Sequence, residues 1–437
     1  MNFLKYLLTG LLILTSVELA AQESGDAQES GDAQEPGESE SCVDGTDSET
    51  CPEEEPDLDS DGSIDDAESS IGDAVEKRGW TLGGDLRISF VHADVEFTDV
   101  QSLNIDQIRT RWRLQSSYGI TESLRFNTRL AGLCSNDECQ PEFYLEPEIP
   151  TPVSIEDGQI TLDELFLHWF RTERFDLAIG RLQTKFITRG GVYAKSLDRN
   201  DSNNLRVNWT DGIHAVRRFK NGWATHLILQ YNSADGPGTV RHRPLDFTDD
   251  GSRTSYFLAF ENNRQKGSVL QRGLDISYLP DSLLKDGTRF GRIENYLGIV
   301  VRGAMRWPAQ SEGPNLRLSA ELGYAPETQT RASAGLAGDG DVNGLAWAVT
   351  ASVMNFLPRQ SVGINYARTD AGWLLSPQYG KNEELFEIRY LWRRNQRLAV
   401  DIRGRWRKDL EPVFSTERRE DFDFYLRFTW GFSDREL

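Results

Sequence analysis

The sequence predicts an all-β chain that closes as a transmembrane antiparallel β-barrel of about sixteen strands. Three observations carry that prediction. From Trp80 onward apolar residues alternate with polar ones at a period of two, polar connections of two lengths separate the alternating runs, and aromatic residues collect at the run ends. Mean hydropathy is −0.53 and the one long apolar run lies at the extreme N-terminus. That excludes a bundle of membrane helices, each of which needs roughly 20 apolar residues, and leaves a barrel open.

The final run is the clearest strand. Phe422, Phe424, Leu426, Phe428, Trp430 and Phe432 alternate with Asp423, Tyr425, Arg427, Thr429 and Gly431, so one face is wholly apolar. The same pattern runs through Leu82, Gly84, Leu86, Ile88 and Phe90, through Ile108, Thr110, Trp112 and Leu114, through Leu124, Phe126, Thr128 and Leu130, and through Leu165, Leu167 and Trp169. It returns at 223–231, 316–324, 386–392 and 398–402. Short polar links such as 118–122 and 219–222 contrast with long ones such as 134–159 and 232–253, as expected of tight periplasmic turns and longer external loops. Trp80, Tyr118, Trp169, Trp223, Tyr231, Tyr278, Trp307, Tyr324, Trp392, Trp406 and Trp430 stand where an interfacial girdle would sit. A soluble sandwich or propeller also alternates, but it needs neither so many polar residues on the inner face nor so long a series without a blade repeat.

The chain of 437 residues has 48 Lys plus Arg against 69 Asp plus Glu, a formal charge of −21. Almost all of it belongs to a tail: residues 22–77 hold 21 acids and one base, whereas residues 78–437 hold 46 bases and 47 acids. Residues 1–21 read as a cleaved signal peptide, with Lys5 ahead of a short apolar stretch and small residues at Ala20 and Ala21. Residues 22–56 repeat Glu-Ser-Gly-Asp-Ala-Gln and have nothing to bury, so disorder is expected. In an exported chain the cysteines fall into two close pairs, Cys42 with Cys51 and Cys134 with Cys139, each predicted to form a local disulfide.

Residues 57–68 fit a twelve-residue calcium loop. Asp57, Asp59 and Asp61 supply oxygens at positions 1, 3 and 5, Gly62 allows the turn, Ser63 offers its carbonyl, Asp65 stands at position 9 and Glu68 can bind Ca2+ through both oxygens. The loop resembles that of the EF-hand family over these residues alone. Pro52 and Pro56 occupy the place of an entering helix, so a lone structural calcium site is expected. Residues 69–78 are a linker, 79–432 the barrel and 433–437 a tail.

If the apolar parity faces lipid, the other parity faces a lumen. That assigns Arg109, Arg111 and Arg113 to the lumen, followed by Arg125 and Arg129, and near the other end Arg389, Arg393, Arg403, Arg405, Arg407 and Arg427. Closure pairs the last strand with the first, which contributes Arg87. The two chain ends would therefore build one basic wall of twelve inward Arg against four inward acids, Asp85, Glu387, Asp401 and Asp423. Arg is permanently charged and grips carboxylate or phosphate through paired hydrogen bonds, so such a ladder could pass an anion onward. The alternative is that these Arg pair with nearby acids.

The body resembles bacterial outer-membrane porins, most of all the phosphate-selective porin O/P superfamily, through Leu162-Asp-Glu-Leu-Phe-Leu-His-Trp169 and Phe175-Asp-Leu-Ala-Ile-Gly-Arg-Leu-Gln-Thr-Lys-Phe186. The resemblance implies a passive channel without enzymatic activity for small anions such as phosphate or organic anions. It also implies outer-membrane lipid and lipopolysaccharide as surroundings, with monomer and homotrimer both open and no nucleic-acid partner. It makes residues 184–204 a loop folded into the pore, carrying Lys185, Arg189, Lys195 and Arg199 with Asp198 and Asp201. Two departures stand out: residues 433–437 follow the terminal aromatic Phe432, and no phosphate-binding Lys cluster is recognisable. Two other functions are weighed: a structural or adhesive barrel using its acidic calcium segment, and a barrel hydrolase. For the latter His92, His168, His214, His226 and His242 are the candidate bases, none beside a defensible nucleophile.

Overall fold

The computed structural model describes residues 79–97, 100–145, 155, 157–172, 174–184, 186, 188–193, 196–198, 207, 209–232, 244–247, 251–309, 313–376, 378–413 and 418–433. The signal peptide, the acidic repeat, Cys42, Cys51, the calcium-loop residues, the linker, Lys185, Lys195, Arg199, Asp201, His242 and residues 434–437 lie outside them.

Strands form in the order β1 (Gly79–Phe97), β2 (Val100–Thr121), β3 (Leu124–Ser135), β4 (Glu142–Phe143), β5 (Gln159–Thr172), β6 (Phe175–Leu182), β7 (Thr210–Arg218) and β8 (Trp223–Tyr231). They continue with β9 (Thr254–Asn262), β10 (Val269–Leu284), β11 (Ile293–Trp307), β12 (Asn315–Tyr324), β13 (Leu345–Leu357), β14 (Gln360–Thr369), β15 (Glu383–Arg393), β16 (Leu398–Asp409) and β17 (Arg419–Ser433). No helix is present among the described residues. Sixteen of these strands pair antiparallel with their neighbours, β3 directly with β5, and β17 closes on β1. The two-residue β4 lies parallel to β5 inside the long connection, an element the alternation could not announce. A closed transmembrane barrel leaves no free edge, so every strand backbone is satisfied without water.

The predicted strands stand where the period-two pattern put them, and the barrel begins at Gly79 and ends at Ser433. Residues 118–121, expected in a turn, continue β2, and the turn shrinks to Glu122 and Ser123. The strand ends separate into a turn end and a loop end. The long connections, such as 136–158, 183–209 and 325–344, all lie at the loop end, where the β1–β2 link is an exception because β2 begins at Val100.

The apolar parity faces outward. Leu82, Leu114, Leu322 and Val301 are each more than half exposed, which hydrocarbon tolerates and water would not. Trp80, Trp169, Trp223, Trp307 and Trp430 ring the turn end, and Tyr231, Tyr256, Tyr278 and Tyr324 ring the loop end. The nine residues of β8, bounded by Trp223 and Tyr231, span about 30 Å along the strand and less along the tilted barrel's axis, close to the height of the hydrocarbon band. Cys134 and Cys139 form the predicted local disulfide, with Cα atoms 4.7 Å apart.

Candidate pore and its lining

Register fixes the inner wall. Arg87 stands opposite Arg111 and Asp85 opposite Arg113 across β1–β2. Two guanidinium groups side by side repel unless a carboxylate lies between them. Asp85 does so, 3.3 Å from Arg87 Nε and accepting from Arg111 Nη2 at 2.7 Å. One strand further, Asp163 takes Arg129 through two hydrogen bonds of 2.9 and 3.0 Å and lies 3.0 Å from Arg113. A register shift opposite Arg129 and Leu130 makes this possible. The bulge turns both Asp163 and Glu164 inward, where strict alternation allows one, and Glu164 meets Arg129 at 2.9 Å.

The same pairing covers the other chain end. Arg389 forks onto Asp401, Arg427 donates to the same carboxylate, Arg405 meets Asp423 at 2.7 Å, and Arg403 stacks 4.4 Å from the Tyr425 ring centroid while lying 4.0 Å from Glu387. All twelve of these Arg lie on the inward parity of their strands. The wall is nevertheless less one-sided than the sequence reading had it. Among the described residues of β1–β3 and β15–β17 the inward acids also include Glu383, Asp409 and Asp421, while Arg419 adds a thirteenth cation.

The ladder is also not continuous to water. Arg87, Arg111 and Arg113 are sealed, at 1%, 0% and 1% exposure. The side chains of Arg109 and Arg407 remain 42% and 22% exposed, towards the loop end. Arg125 and Arg393, towards the turn end, are half-buried. The accessible cations are therefore grouped at two levels, with a neutralised ion-pair belt between them.

Two infolded loops pack on the inner face of the barrel from β10 to β15. Described residues of the β6–β7 connection fold inward: Phe186, Val192, Tyr193 and Leu197 are buried, and the Tyr193 hydroxyl donates to the carbonyls of Gly363 (2.8 Å) and Glu387 (3.0 Å). Arg189 is half-buried, and its amide donates to Gln271 at 2.8 Å. Glu321 of β12 anchors the loop by accepting from the Thr188 hydroxyl and, at 2.6 Å, from the Leu197 amide. Residues 370–382 fold in to meet it. The Trp373 indole donates to the Leu197 carbonyl at 2.8 Å and the Ser376 hydroxyl to the Ser196 carbonyl at 2.8 Å. Burial raises the phenols of Tyr193 and Tyr379 well above their usual pKa, so both stay protonated donors.

These loops dock where the inward parity is small. Gly298, Gly323, Ala346, Ala348, Gly363 and Ala367 all face in and are buried. A Cβ at Gly323 would lie 2.7 Å from the Trp373 ring, and one at Gly363 would lie 2.6 Å from a Val192 methyl. The second loop and this small-residue face were missed by the sequence reading, which followed charge alone. The signal was the run of Gly, Ala and Ser on the inner parity of β11–β14.

Of the candidate bases, His214 Nε2 lies 3.2 Å from His226 Nδ1, His226 Nε2 lies 3.3 Å from Glu261, and Phe186 packs edge-on against both rings. His168 lies between Phe166 and Phe170, and His92 pairs with Asp106 at 2.6 Å. Each of these imidazoles is engaged in packing or pairing with the wall. At the loop end an open cleft of about 920 Å³ is lined in part by Asp246, Arg289, Lys381, Asp409 and Arg419.

No family model and no curated protein matches this sequence. Solved structures do. Pseudomonas putida OprB at high pH is similar at 10% identity over 81% of this chain and 94% of its own, with a TM-score of 0.51. Pseudomonas aeruginosa OpdQ is similar at 12% identity over 81% and 98%, with a TM-score of 0.50. The likeness is one of fold. It spans nearly the whole length of both OprB and OpdQ.

Proposed function

We propose that this protein is a passive diffusion channel of the bacterial outer membrane, reached by a cleaved signal peptide, for small hydrophilic solutes with a preference for anions. The observation carrying the preference is the excess of Arg over carboxylate on the inward parity of the terminal strands, among the described residues. Ion pairing buries most of that charge at mid-height, so the preference rests on Arg109, Arg407 and Arg419 near the loop end, which keep exposed surface although Asp157, Glu383, Asp421 and Asp423 lie beside them, and on Arg125 and Arg393 near the turn end. Phosphate and organic anions are the solutes this chemistry suits. The barrel's apolar band meets outer-membrane lipid, and lipopolysaccharide faces its loop end.

Single-channel recording in planar bilayers tests this reading. Purified full-length protein should give discrete conductance steps, and the reversal potential in a potassium chloride gradient should carry the sign of chloride selectivity. Cation selectivity would sink the anion preference, and the absence of conductance would sink the channel.

A further inference from the structure

Charge on the lipid-facing parity is arranged differently at the two ends of the barrel. Near the loop end Arg181 pairs with Asp211 at 2.9 Å, Arg368 with Asp370 at 3.3 Å and Lys408 with Glu384 at 3.1 Å. Near the turn end the outward cations of the strands are Arg217 and Arg272, and no carboxylate of the described residues pairs with either. Arg217 lies over the Phe219 ring, 5.3 Å from its centroid. A cation on the lipid face of a barrel is destabilising at mid-depth and tolerated near the headgroups, where lipid phosphate can neutralise it.

Arg272 is held in place by neutral groups. Its Nη2 donates to Asn262 Oδ1 at 3.1 Å and to the Arg264 carbonyl at 3.2 Å, which turns the guanidinium towards the β9–β10 turn. The Arg264 amide donates to the same Asn262 oxygen at 3.0 Å, so both cations are tied to one buried amide. Neither acceptor cancels charge, and a guanidinium with five donors keeps others for a ligand. Fixing the fork beforehand lowers the ordering cost of binding. Trp223 of the turn-end girdle stands opposite Asn262, which sets the cluster at headgroup level. On the other side Arg272 stands opposite Gly303, and Gly303 opposite Ala320. These two small outward residues lie between the larger pairs Val301–Leu322 and Met305–Leu318, leaving a shallow apolar notch beside the guanidinium. A Cβ at Gly303 would meet nothing closer than 3.6 Å. The seven turn connections carry seven Lys or Arg against three Glu, and none of those Glu falls in the turns 219–222 and 263–268 that flank the cluster.

From this arrangement we infer that the outer edge of β8–β11 binds an anionic phospholipid of the turn-end leaflet, with its phosphodiester on Arg272 beside the Arg264 turn and the start of an acyl chain in the Gly303–Ala320 notch. The inference rests on the outer-membrane reading and names a partner of the barrel's lipid face. A guanidinium fork matches two phosphate oxygens at once. An anionic headgroup fits better than a zwitterionic one, because Lys220, Arg264 and Lys266 surround it with further positive charge and the two flanking turns contain no carboxylate to receive an ammonium.

The test is native mass spectrometry of the full-length protein in detergent, equilibrated with phosphatidylglycerol or with phosphatidylcholine of the same acyl chains. One phosphatidylglycerol should be retained roughly tenfold more tightly than phosphatidylcholine, the effect of one charge-assisted pair. Arg272→Gln should erase that advantage, and Arg264→Gln, in the exposed turn where barrel assembly is not at stake, should reduce it. Arg368→Gln, equally outward but at the loop end, should leave it intact. Equal retention of the two lipids would overturn the inference, as would an unchanged preference in both Arg272→Gln and Arg264→Gln. Glycerophosphoglycerol, the same headgroup without chains, should not displace the lipid at millimolar concentration; displacement would mean a soluble-phosphate site and overturn the lipid assignment. Conductance in planar bilayers separates the two claims. Current without phosphatidylglycerol preference removes only the lipid site, and lipid preference without current removes only the channel.

Discussion

Arg389 and Asp401 meet inside the barrel through two parallel hydrogen bonds of 2.9 Å, a fork that ties β15 to β16. Arg427 from β17 donates to the same carboxylate, and Arg389 also donates to the Val192 carbonyl of the infolded loop. One carboxylate therefore holds three strands and, through Arg389, a loop. Asp401→Ala should leave two buried guanidinium groups uncompensated and destabilise the barrel by about 3–5 kcal/mol, the usual consequence of halving a buried pair. Urea unfolding in lipid vesicles measures it. The double change Asp401→Leu with Arg389→Met should be milder than the single one, because it removes both members of the fork.

The infolded loops should be displaceable by volume alone. Gly323→Val and Gly363→Val each place methyl groups where Trp373 or Val192 now sit. The outer face of the sheet is untouched, so the barrel should still assemble while overpacking costs about 1–3 kcal/mol. The expected outcome is a larger or noisier single-channel conductance than wild type, read in the same bilayers. A smaller, quieter channel would mean that these loops do not narrow the lumen.

Trp373 links the two loops through one indole hydrogen bond to Leu197. Trp373→Phe keeps most of the ring and deletes the donor, leaving the Leu197 carbonyl without it at a cost of about 1 kcal/mol. Amide exchange of residues 371–376 should accelerate roughly fivefold while exchange in β1–β3 is unchanged.

Selectivity and stability should separate along the Arg wall. Arg109 and Arg407 are accessible, whereas Arg111 is wholly buried beside Asp85. The double change Arg109→Gln with Arg407→Gln should lower the chloride-to-potassium permeability ratio roughly twofold or more, and the effect should shrink in high salt. Arg111→Gln should instead weaken the fold and leave the reversal potential nearly unchanged. The sequence alone would have ranked the three Arg together, because parity tells which way a residue points and nothing about what covers it.

That distinction marks what was legible. Strand positions, closure, the outward apolar face and the inward Arg all follow from a period of two, which is local and survives any tertiary arrangement. Partners across strands do not. The bulge that turns Asp163 and Glu164 to the same side breaks the very periodicity used to read them, so the acids that neutralise Arg113 and Arg129 were invisible. Loop 370–382 carries no alternation, and its inward path is set by the small face it docks on. The short motifs that resemble phosphate-selective porins fall on β5 and β6, where Leu162-Asp-Glu-Leu165 spans the bulge.

The acidic segment supplies a test independent of the barrel. Residues 57–68 carry carboxylates at positions 1, 3, 5 and 12 of a calcium loop, with Gly62 at the turn. Pro52 and Pro56 disfavour an entering helix ahead of the loop, so affinity is expected in the extracellular range of about 10⁻⁴ to 10⁻³ M. Calorimetric titration of the full-length protein, and of a peptide covering residues 41–77, should give saturable uptake of one calcium ion in each. Glu68→Gln removes the bidentate ligand and should abolish it, while Glu76→Gln, outside the loop, should not. Equal losses in the two variants would mean that calcium is gathered by the −20 charge of the tail rather than by a coordinated loop, and binding would then weaken steeply with added sodium chloride.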